Sequence, residues 1–335
     1  MEIIIMTDEW TKPKVVISKC IEYDYCRWNS NIIKSPIVDL LKKYVEFQPV
    51  CAEYEIGLGV PRDPVRIVIE NDEKRLIQPS TGRDVTDIMI NFTRDFIDSL
   101  DVVDGFILKS QSPSCGTQQT KYLAGREKGA ATLERGAGFF GGEILNVFPD
   151  HPIETEGRLR NFRIREFFLT KLYTLARFRE VKNSHSKHEL VNFHTKNKFL
   201  FLAYNQNEKN NLGKIVANPQ KHRFEEIIKD YEHHLALLLN KPPKYTSNIN
   251  VLMHALGYFS KYLNKEEKAY FLDELEKYRA GWVPIFSINI LLKSWIVRFQ
   301  QDYLKQQTYF DPFPEDLMIF DLKDTWRGRD YWRNM

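Results

Sequence analysis

Up to about residue 160, short apolar runs alternate with helical stretches, and beyond it the strand signal fades. That change of hydrophobic period limits the chain to an α/β domain followed by an all-helical one. Residues 14–18, 45–50, 65–70 and 105–109 are β-branched or aromatic runs of strand length, and 142–148 is read as a last strand. Between them, Ile37, Leu40 and Leu41 recur at helical spacing in 35–44, and Ile88, Phe92, Phe96 and Leu100 do so in 84–100. A short helix is predicted at 130–135. Strand and helix in alternation call for a mainly parallel sheet, because parallel neighbours need a crossover between them.

From residue 161 long amphipathic segments take over, at 163–180, 186–204, 207–216, 219–239, 245–262, 265–281 and 284–300. Asn218-Pro219, Lys241-Pro242-Pro243 and Gly281 before Pro284 punctuate them as helix boundaries. The expected organisation is therefore a domain at 12–160 and an all-α domain at 161–335, with an irregular aromatic tail from residue 311. A chain of 335 residues has length for two such cores.

No apolar run approaches the roughly 20 residues that span a bilayer, and the N-terminus has no basic leader before its short apolar run. A cytoplasmic protein without membrane partners is expected. Charge is uneven: residues 1–170 hold 22 Lys and Arg against 26 Asp and Glu, and residues 171–335 hold 26 against 19. A basic half behind an acidic one is the pattern of a module that meets phosphate backbones, although many basic helical faces are merely solvated.

Four cysteines are too few and too scattered for a disulfide scaffold. Three of them stand just past predicted strands: Cys20 after 14–18, Cys51 after 45–50, and Cys115 after 105–109 and a Ser-Pro turn. In a parallel sheet those ends share one edge, where open α/β folds place their ligands. Converging thiolates select zinc, copper(I) or an iron-sulfur cluster, and the absence of a CxxC pair removes the usual zinc knuckle. Ordinary burial of the same three cysteines stays open on spacing alone. Cys26, six residues along the loop from Cys20, reads as a packing residue.

Five motifs carry a resemblance: Val16-Ile17-Ser18-Lys19-Cys20, Cys26-Arg27-Trp28-Asn29, Pro49-Val50-Cys51-Ala52-Glu53, Gly59-Val60-Pro61-Arg62 and Ser112-Pro113-Ser114-Cys115-Gly116. In that order they resemble the motifs of the thiouracil desulfidase (TudS) family over residues 12–155. The helical half is similar, through Phe193-His194 with Lys198, His254 to Phe259 and Tyr278-Arg279 with Gly281, to the domain fused behind it in RudS-type tRNA 4-thiouridine desulfidases.

The resemblance implies that Cys20, Cys51 and Cys115 ligate a 4Fe-4S cluster whose fourth, open iron takes the substrate sulfur. It makes Glu53 the catalytic proton-transfer group and gives Thr117, where the family usually has Ser, a positioning role. The family motif reads Cys-Pro-Glu where this chain has Cys51-Ala52-Glu53, which loosens the turn without removing a functional group. The implied reaction is non-redox, hydrolytic removal of sulfur from 4-thiouridine in tRNA, leaving uridine and sulfide. Free thiouracil or thiouridine is the alternative substrate. A non-catalytic RNA-binding or regulatory protein holding structural zinc or a sensing cluster is the alternative of a different class.

For substrate and RNA the candidate contacts are Arg62, Arg66, Ser112 and Ser114 near the cysteines, and His194, Lys198, Lys221, Arg223 and Lys244 in the helical half. Lys and Arg meet phosphates, while Tyr204, Tyr245 and Tyr258 offer stacking faces. His194 and His254, both on apolar helical faces, also read as core histidines.

Overall fold

A computed structural model describes residues 10–217 and 222–318. The strands in chain order are β1 (Lys14–Ser18), β2 (Glu46–Val50), β3 (Arg66–Glu70), β4 (Glu73–Gln78), β5 (Arg83–Asp84), β6 (Gly105–Leu108), β7 (Thr120–Leu123), β8 (Thr132–Gly136) and β9 (Ile153–Thr155). They form two sheets. One has four strands in the order β2-β1-β6-β9, and every pairing in it is parallel. Val15, Val16 and Ile17 of β1 are all buried, as expected of a central parallel strand covered on both faces.

The second sheet, ordered β5-β4-β3-β7-β8, is antiparallel except between β3 and β7, and only β3, the strand expected at 65–70, has a counterpart in the sequence expectations. Its hairpin from β3 to β4 turns at Asn71 and Asp72, both at positive φ (50° and 64°). That is the two-residue turn whose twist matches paired strands.

Helices α1 (Pro36–Leu41), α2 (Thr86–Asp98) and α3 (Phe139–Val147) accompany the sheets. Two expectations are corrected here. Residues 130–135, read as a helix, run into β8 from Thr132 on, where Arg135 pairs with Lys121. Residues 142–148, read as a strand, lie in α3, because Phe140 and Ile144 share one buried helical face. Phe140 packs there against Phe92 and Phe96 of α2.

Beyond β9, α4 (Phe162–Ser184), α5 (Lys187–Lys196), α6 (Lys198–Tyr204), α7 (Gln206–Ala217), α8 (Phe224–Leu238), α9 (Tyr245–Phe259), α10 (Lys265–Arg279), α11 (Ile285–Arg298), α12 (Asp302–Lys305) and α13 (Glu315–Met318) follow. The single helix expected at 186–204 is two. Asn197, 1% exposed, turns its side-chain amide back to the Phe193 carbonyl (2.7 Å) and accepts from Thr308 Oγ1 (2.7 Å), which breaks the helical run. Asn264 and Glu267 cap α10 reciprocally, each at 2.8 Å. Expected features at Pro219, Lys221 and 319–335 lie outside the described residues.

Among the described residues the chain divides into two compact units, 10–176 with 314–318, and 177–313. β-structure ends before residue 161, yet the division falls later, inside α4. The first turns of that helix belong with the sheets: Tyr173 donates to the Tyr44 carbonyl at 3.3 Å and packs edge-on against Trp10. The second unit is all-α, with cores around Phe178, Phe193 and Tyr231 and around Phe259, Phe271 and Trp295.

Candidate functional site

Parallel register sets the site. Ser18 of β1 pairs with Val50 of β2, and Ile17 with Ile107 of β6, so the C-terminal ends of these strands lie along one edge. Cys20 follows β1, with Lys19 N still donating to the Val50 carbonyl at 2.8 Å. Cys51 directly follows β2, and its carbonyl accepts from the amides of Tyr54 and Glu55, both at 3.0 Å. Cys115 stands in the loop after β6. There the Ser112 hydroxyl accepts from the amides of Ser114 (3.2 Å) and Cys115 (3.1 Å).

The Cys115 loop rests on the start of α3. The first amides of a helix lack internal acceptors, and here those of Gly138, Phe139 and Gly141 donate to the carbonyls of Gly116 (2.7 Å), Pro113 (3.0 Å) and Ser114 (2.9 Å). The approach leaves no room for side chains: a Cβ at Gly141 would stand 2.5 Å from the Cys115 carbonyl oxygen, and one at Gly116 would stand 2.2 Å from Thr120 Oγ1.

Cys20, Cys51 and Cys115 line one cavity of about 290 Å³, together with Cys26, Glu53, Arg62 and Ser112. All four cysteines are buried and none is in a disulfide. Burial pushes the Cys115 thiol up to about 12, against hydrogen bonds with Ser18 and Ser112 that favour the thiolate. The hydrogen bond with Cys20 is the main reason Cys26 rises to about 11, and that with Cys26 is the main reason Cys51 rises. Buried thiols that resist sharing negative charge are the donor set a cationic centre relieves, since thiolate is the ligating form.

Among the described residues no three Cys, His, Asp or Glu side chains group closely enough for a single metal ion. Buried thiols around a cavity of this volume fit a polynuclear iron-sulfur group, which draws its ligands from several chain segments.

Glu53 reaches the cavity from the turn after Cys51 and is held from both sides. Its Oε2 accepts from Arg62 Nε (2.9 Å) and Nη2 (2.7 Å), and its Oε1 accepts from Ser114 Oγ (3.0 Å). The Arg62 side chain is 3% exposed, and its Nη1 donates to the carbonyls of Cys26 (3.0 Å) and Gly59 (2.8 Å). Arg62, expected to reach a substrate phosphate or carboxylate, is instead committed to Glu53 and these backbone oxygens.

Other candidates are placed differently. Ser112 lines the cavity and Ser114 lies buried behind it, but Thr117 is not in the lining. The hydroxyl that braces the loop is that of Thr120, donating to the Ser112 carbonyl at 3.1 Å. Arg66 is outside the lining, with Nη1 on the Glu127 carbonyl at 3.2 Å. In the helical unit His194 is buried, its Nδ1 3.1 Å from the Tyr231 hydroxyl, and burial lowers it to about 4, so it offers RNA no charge. His254, by contrast, is exposed. Arg223 and Lys244 are exposed, the former paired with Glu226, and Lys198 is partly buried at the start of α6.

Three further lining residues are not among the site candidates, although Lys19 and Trp28 lie within the quoted motifs. Lys19, Lys109 and Trp28 surround the cavity, the indole 43% exposed. Lys109 Nζ donates to Glu156 Oε1 (2.8 Å), and Glu156, itself buried, also accepts from Ser110 N (2.8 Å) and Ser110 Oγ (2.7 Å). This pins the start of the loop that carries Cys115. The one signal for it is a Lys-Ser pair directly after a strand, which is too common to single out.

Residues 15–156 match the model of a family described as 2-thiouracil desulfurase. Residues 198–314 match a family described as a protein of unknown function, DUF1722. The chain is similar to the uncharacterized protein YbgA of Escherichia coli (strain K12), at 28% identity over 152 residues, 45% of this chain and 87% of that protein. A solved [4Fe-4S]-dependent thiouracil desulfidase, TudS, aligns at 23% identity over 44% of this chain and 94% of that one, with a TM-score of 0.35.

Proposed function

With residues 15–156 a domain of the 2-thiouracil desulfurase family, we propose that the protein is an iron-sulfur desulfidase that converts 4-thiouridine in tRNA to uridine. The observation that carries this reading is the meeting of Cys20, Cys51, Cys115 and Glu53 in one cavity at the edge of the parallel sheet. Cys20, Cys51 and Cys115 are the residues that would hold a 4Fe-4S cluster. When bound through three thiolates, such a cluster supplies a Lewis-acidic iron that accepts the substrate sulfur and makes it a better leaving group.

The remaining chemistry falls to the chain. A thiocarbonyl and water give a carbonyl and hydrogen sulfide: the carbon-sulfur bond breaks, a carbon-oxygen bond to water forms, and no electron moves. Glu53 takes a proton from that water at Oε1, the oxygen facing Ser114, while Arg62 fixes the opposite oxygen. Ser114 orients the carboxylate, and Trp28 at the cavity wall offers a flat face for the base. Lys19 and Lys109 also line the cavity, each paired with a carboxylate, Asp24 at 2.9 Å and Glu156 at 2.8 Å.

The RNA part of the reading rests on the second unit. Lys244, Arg223, Tyr245, Tyr258, Tyr262 and Trp282 are exposed there, the indole at 78%. Exposed cations with flat rings suit phosphate contacts and base stacking. Free thiouracil is the competing substrate, favoured by a cavity close to the size of a small-molecule pocket. The full-length protein, loaded anaerobically and given 4-thiouridine-containing tRNA or free 4-thiouracil, separates the two. Loss of thiobase absorbance with a much higher kcat/KM for tRNA, falling as salt rises, supports the RNA reading. Equal or better turnover of the free base, indifferent to salt, rejects it.

A further inference from the structure

Among the described residues four cations line the cysteine cavity against one carboxylate, Glu53. Three of the four are neutralised: Lys19 pairs with Asp24 at 2.9 Å, Arg62 with Glu53 at 2.7 Å and Lys109 with Glu156 at 2.8 Å. Arg27 is the fourth. It is half-buried, and its guanidinium has no ion pair or hydrogen bond among the described residues. Withdrawing a cation from water without a partner costs stability, so such a group points to a charge that arrives with a ligand.

The turn that carries Arg27 is fixed. Ser30 N donates to the Arg27 carbonyl at 2.9 Å, closing a four-residue turn in which Ser30 takes a left-handed φ of 54°. Arg62 ties both neighbours of Arg27. Its main-chain amide donates to the Trp28 carbonyl at 2.9 Å, and its Nη1 donates to the Cys26 carbonyl at 3.0 Å. Because the same guanidinium holds Glu53, the Arg27 turn keeps a set place relative to the proton-transfer group. Trp28, the next residue, lines the same cavity with much of its indole exposed. A guanidinium and an indole one peptide apart match a nucleotide, whose phosphate lies one ribose from its base.

We propose that Arg27 binds a phosphate of the nucleotide that carries the thiolated base and sets how that base enters the cavity. This inference rests on the tRNA reading above, and it names the residue that makes the cavity a nucleotide site rather than a free-base site. A neutral thiobase offers nothing to a guanidinium, whereas a phosphate presents two oxygens to its fork. The contact carries no base identity; it fixes the position of the backbone. It also offsets part of the cost of drawing the base out of its stack.

The test uses full-length protein reconstituted anaerobically, as wild type, Arg27→Gln and Arg27→Lys, with iron and labile sulfide measured on each. Affinity for tRNA without 4-thiouridine is followed as salt is raised. Separately, kcat/KM is compared between 4-thiouridine and its 5′- and 3′-monophosphates. The wild type is expected to favour one monophosphate roughly tenfold or more over the nucleoside, the worth of one charged hydrogen bond. In Arg27→Gln that ratio falls toward one, and the slope of log affinity against log salt becomes shallower by about 0.7 to 0.9, the loss of one phosphate contact. Arg27→Lys keeps the charge, so it retains the slope with part of the ratio, and it reports even where the glutamine variant folds poorly. A glutamine variant with the wild-type ratio overturns the role of Arg27 and leaves the tRNA reading standing. Loss of iron and labile sulfide with an unaltered salt slope assigns the arginine to the charge of the cluster and overturns it as well. A wild type that turns over tRNA no better than free 4-thiouracil rejects the tRNA reading, and this inference with it.

Discussion

Arg62 places two hydrogen bonds on one carboxylate oxygen of Glu53, from Nε at 2.9 Å and Nη2 at 2.7 Å, with its side chain only 3% exposed. A forked guanidinium does this and a lysine ammonium does not. Through Nη1 the same side chain holds the carbonyl of Cys26 (3.0 Å), so one arginine ties the proton-transfer group to a cysteine loop. Removing it strands a largely buried carboxylate, which costs about 3 kcal/mol or more. Arg62→Met is expected to lower the melting temperature and to reduce kcat. Arg62→Lys is expected to recover part of the stability but little of kcat. Thermal melts and single-turnover desulfuration check both; a lysine variant with full kcat would show that the bidentate geometry is not needed.

Glu53→Gln keeps the shape of the side chain and its contact with Ser114 but cannot accept the proton from water. Desulfuration is expected to fall roughly 10²- to 10⁴-fold, the usual worth of a general base. Iron and sulfide content should be unchanged. Comparing turnover at equal cluster occupancy measures this, and undiminished turnover removes Glu53 from the mechanism.

Trp28 stands at the cavity wall with 43% of its surface exposed. Stacking on an aromatic ring contributes about 1–3 kcal/mol per base. Trp28→Ala is therefore expected to raise KM for the thiobase by roughly tenfold with a smaller change in kcat, and quenching of the indole fluorescence by 4-thiouracil should disappear. A KM that stays put places the base elsewhere in the cavity.

His194 carries the pH dependence of the helical unit. Burial lowers it to about 4, whereas the unfolded chain protonates near 6.5. The unfolded state thus binds more protons between those values, so stability is full above about 6.5 and is lost as pH falls toward 4. The loss amounts to about 3 kcal/mol at most. Denaturant melts between pH 7 and 4 should show this slope, and His194→Gln should flatten it. An unchanged slope in the variant assigns the acid sensitivity to other groups.

Gly141 lets α3 meet the Cys115 carbonyl, where an added Cβ would stand 2.5 Å from the oxygen. Gly141→Ala is expected to displace the Cys115 loop and to cut cluster uptake severalfold while far-ultraviolet circular dichroism changes little. Full uptake in the variant would mean that the loop adapts.

How much of this the sequence discloses depends on whether the deciding force is local. β1 and β6 are legible because β-branched and aromatic runs buried on both faces leave a continuous apolar signature, and their shared direction brings Cys20, Cys51 and Cys115 to one edge. β4 is not, since Glu73, Lys74 and Arg75 face water and only its last half is buried; the Asn71-Asp72 turn is its one local mark. Residues 142–148 mislead because an apolar run packed against α2 looks alike as strand or helix. At the site, Glu53 is legible through its motif, but the Arg62 clamp is not, because nothing in Gly59-Val60-Pro61-Arg62 tells a buried guanidinium from a solvated one. That Cys26 joins the cavity lining and accepts from Cys51 Sγ through its carbonyl depends on how a six-residue loop folds back, which spacing does not encode.

The central claim is that Cys20, Cys51 and Cys115 hold a cluster that desulfurates a thiolated base. The direct measurement is metal and labile-sulfide analysis of anaerobically purified full-length protein, paired with turnover of 4-thiouracil and of 4-thiouridine-containing tRNA, for wild type and for Cys115→Ala. About four irons and four sulfides per chain, with turnover in the wild type and neither property in the variant, is the predicted result. Stoichiometric zinc without labile sulfide, or turnover that survives loss of the cluster, contradicts it.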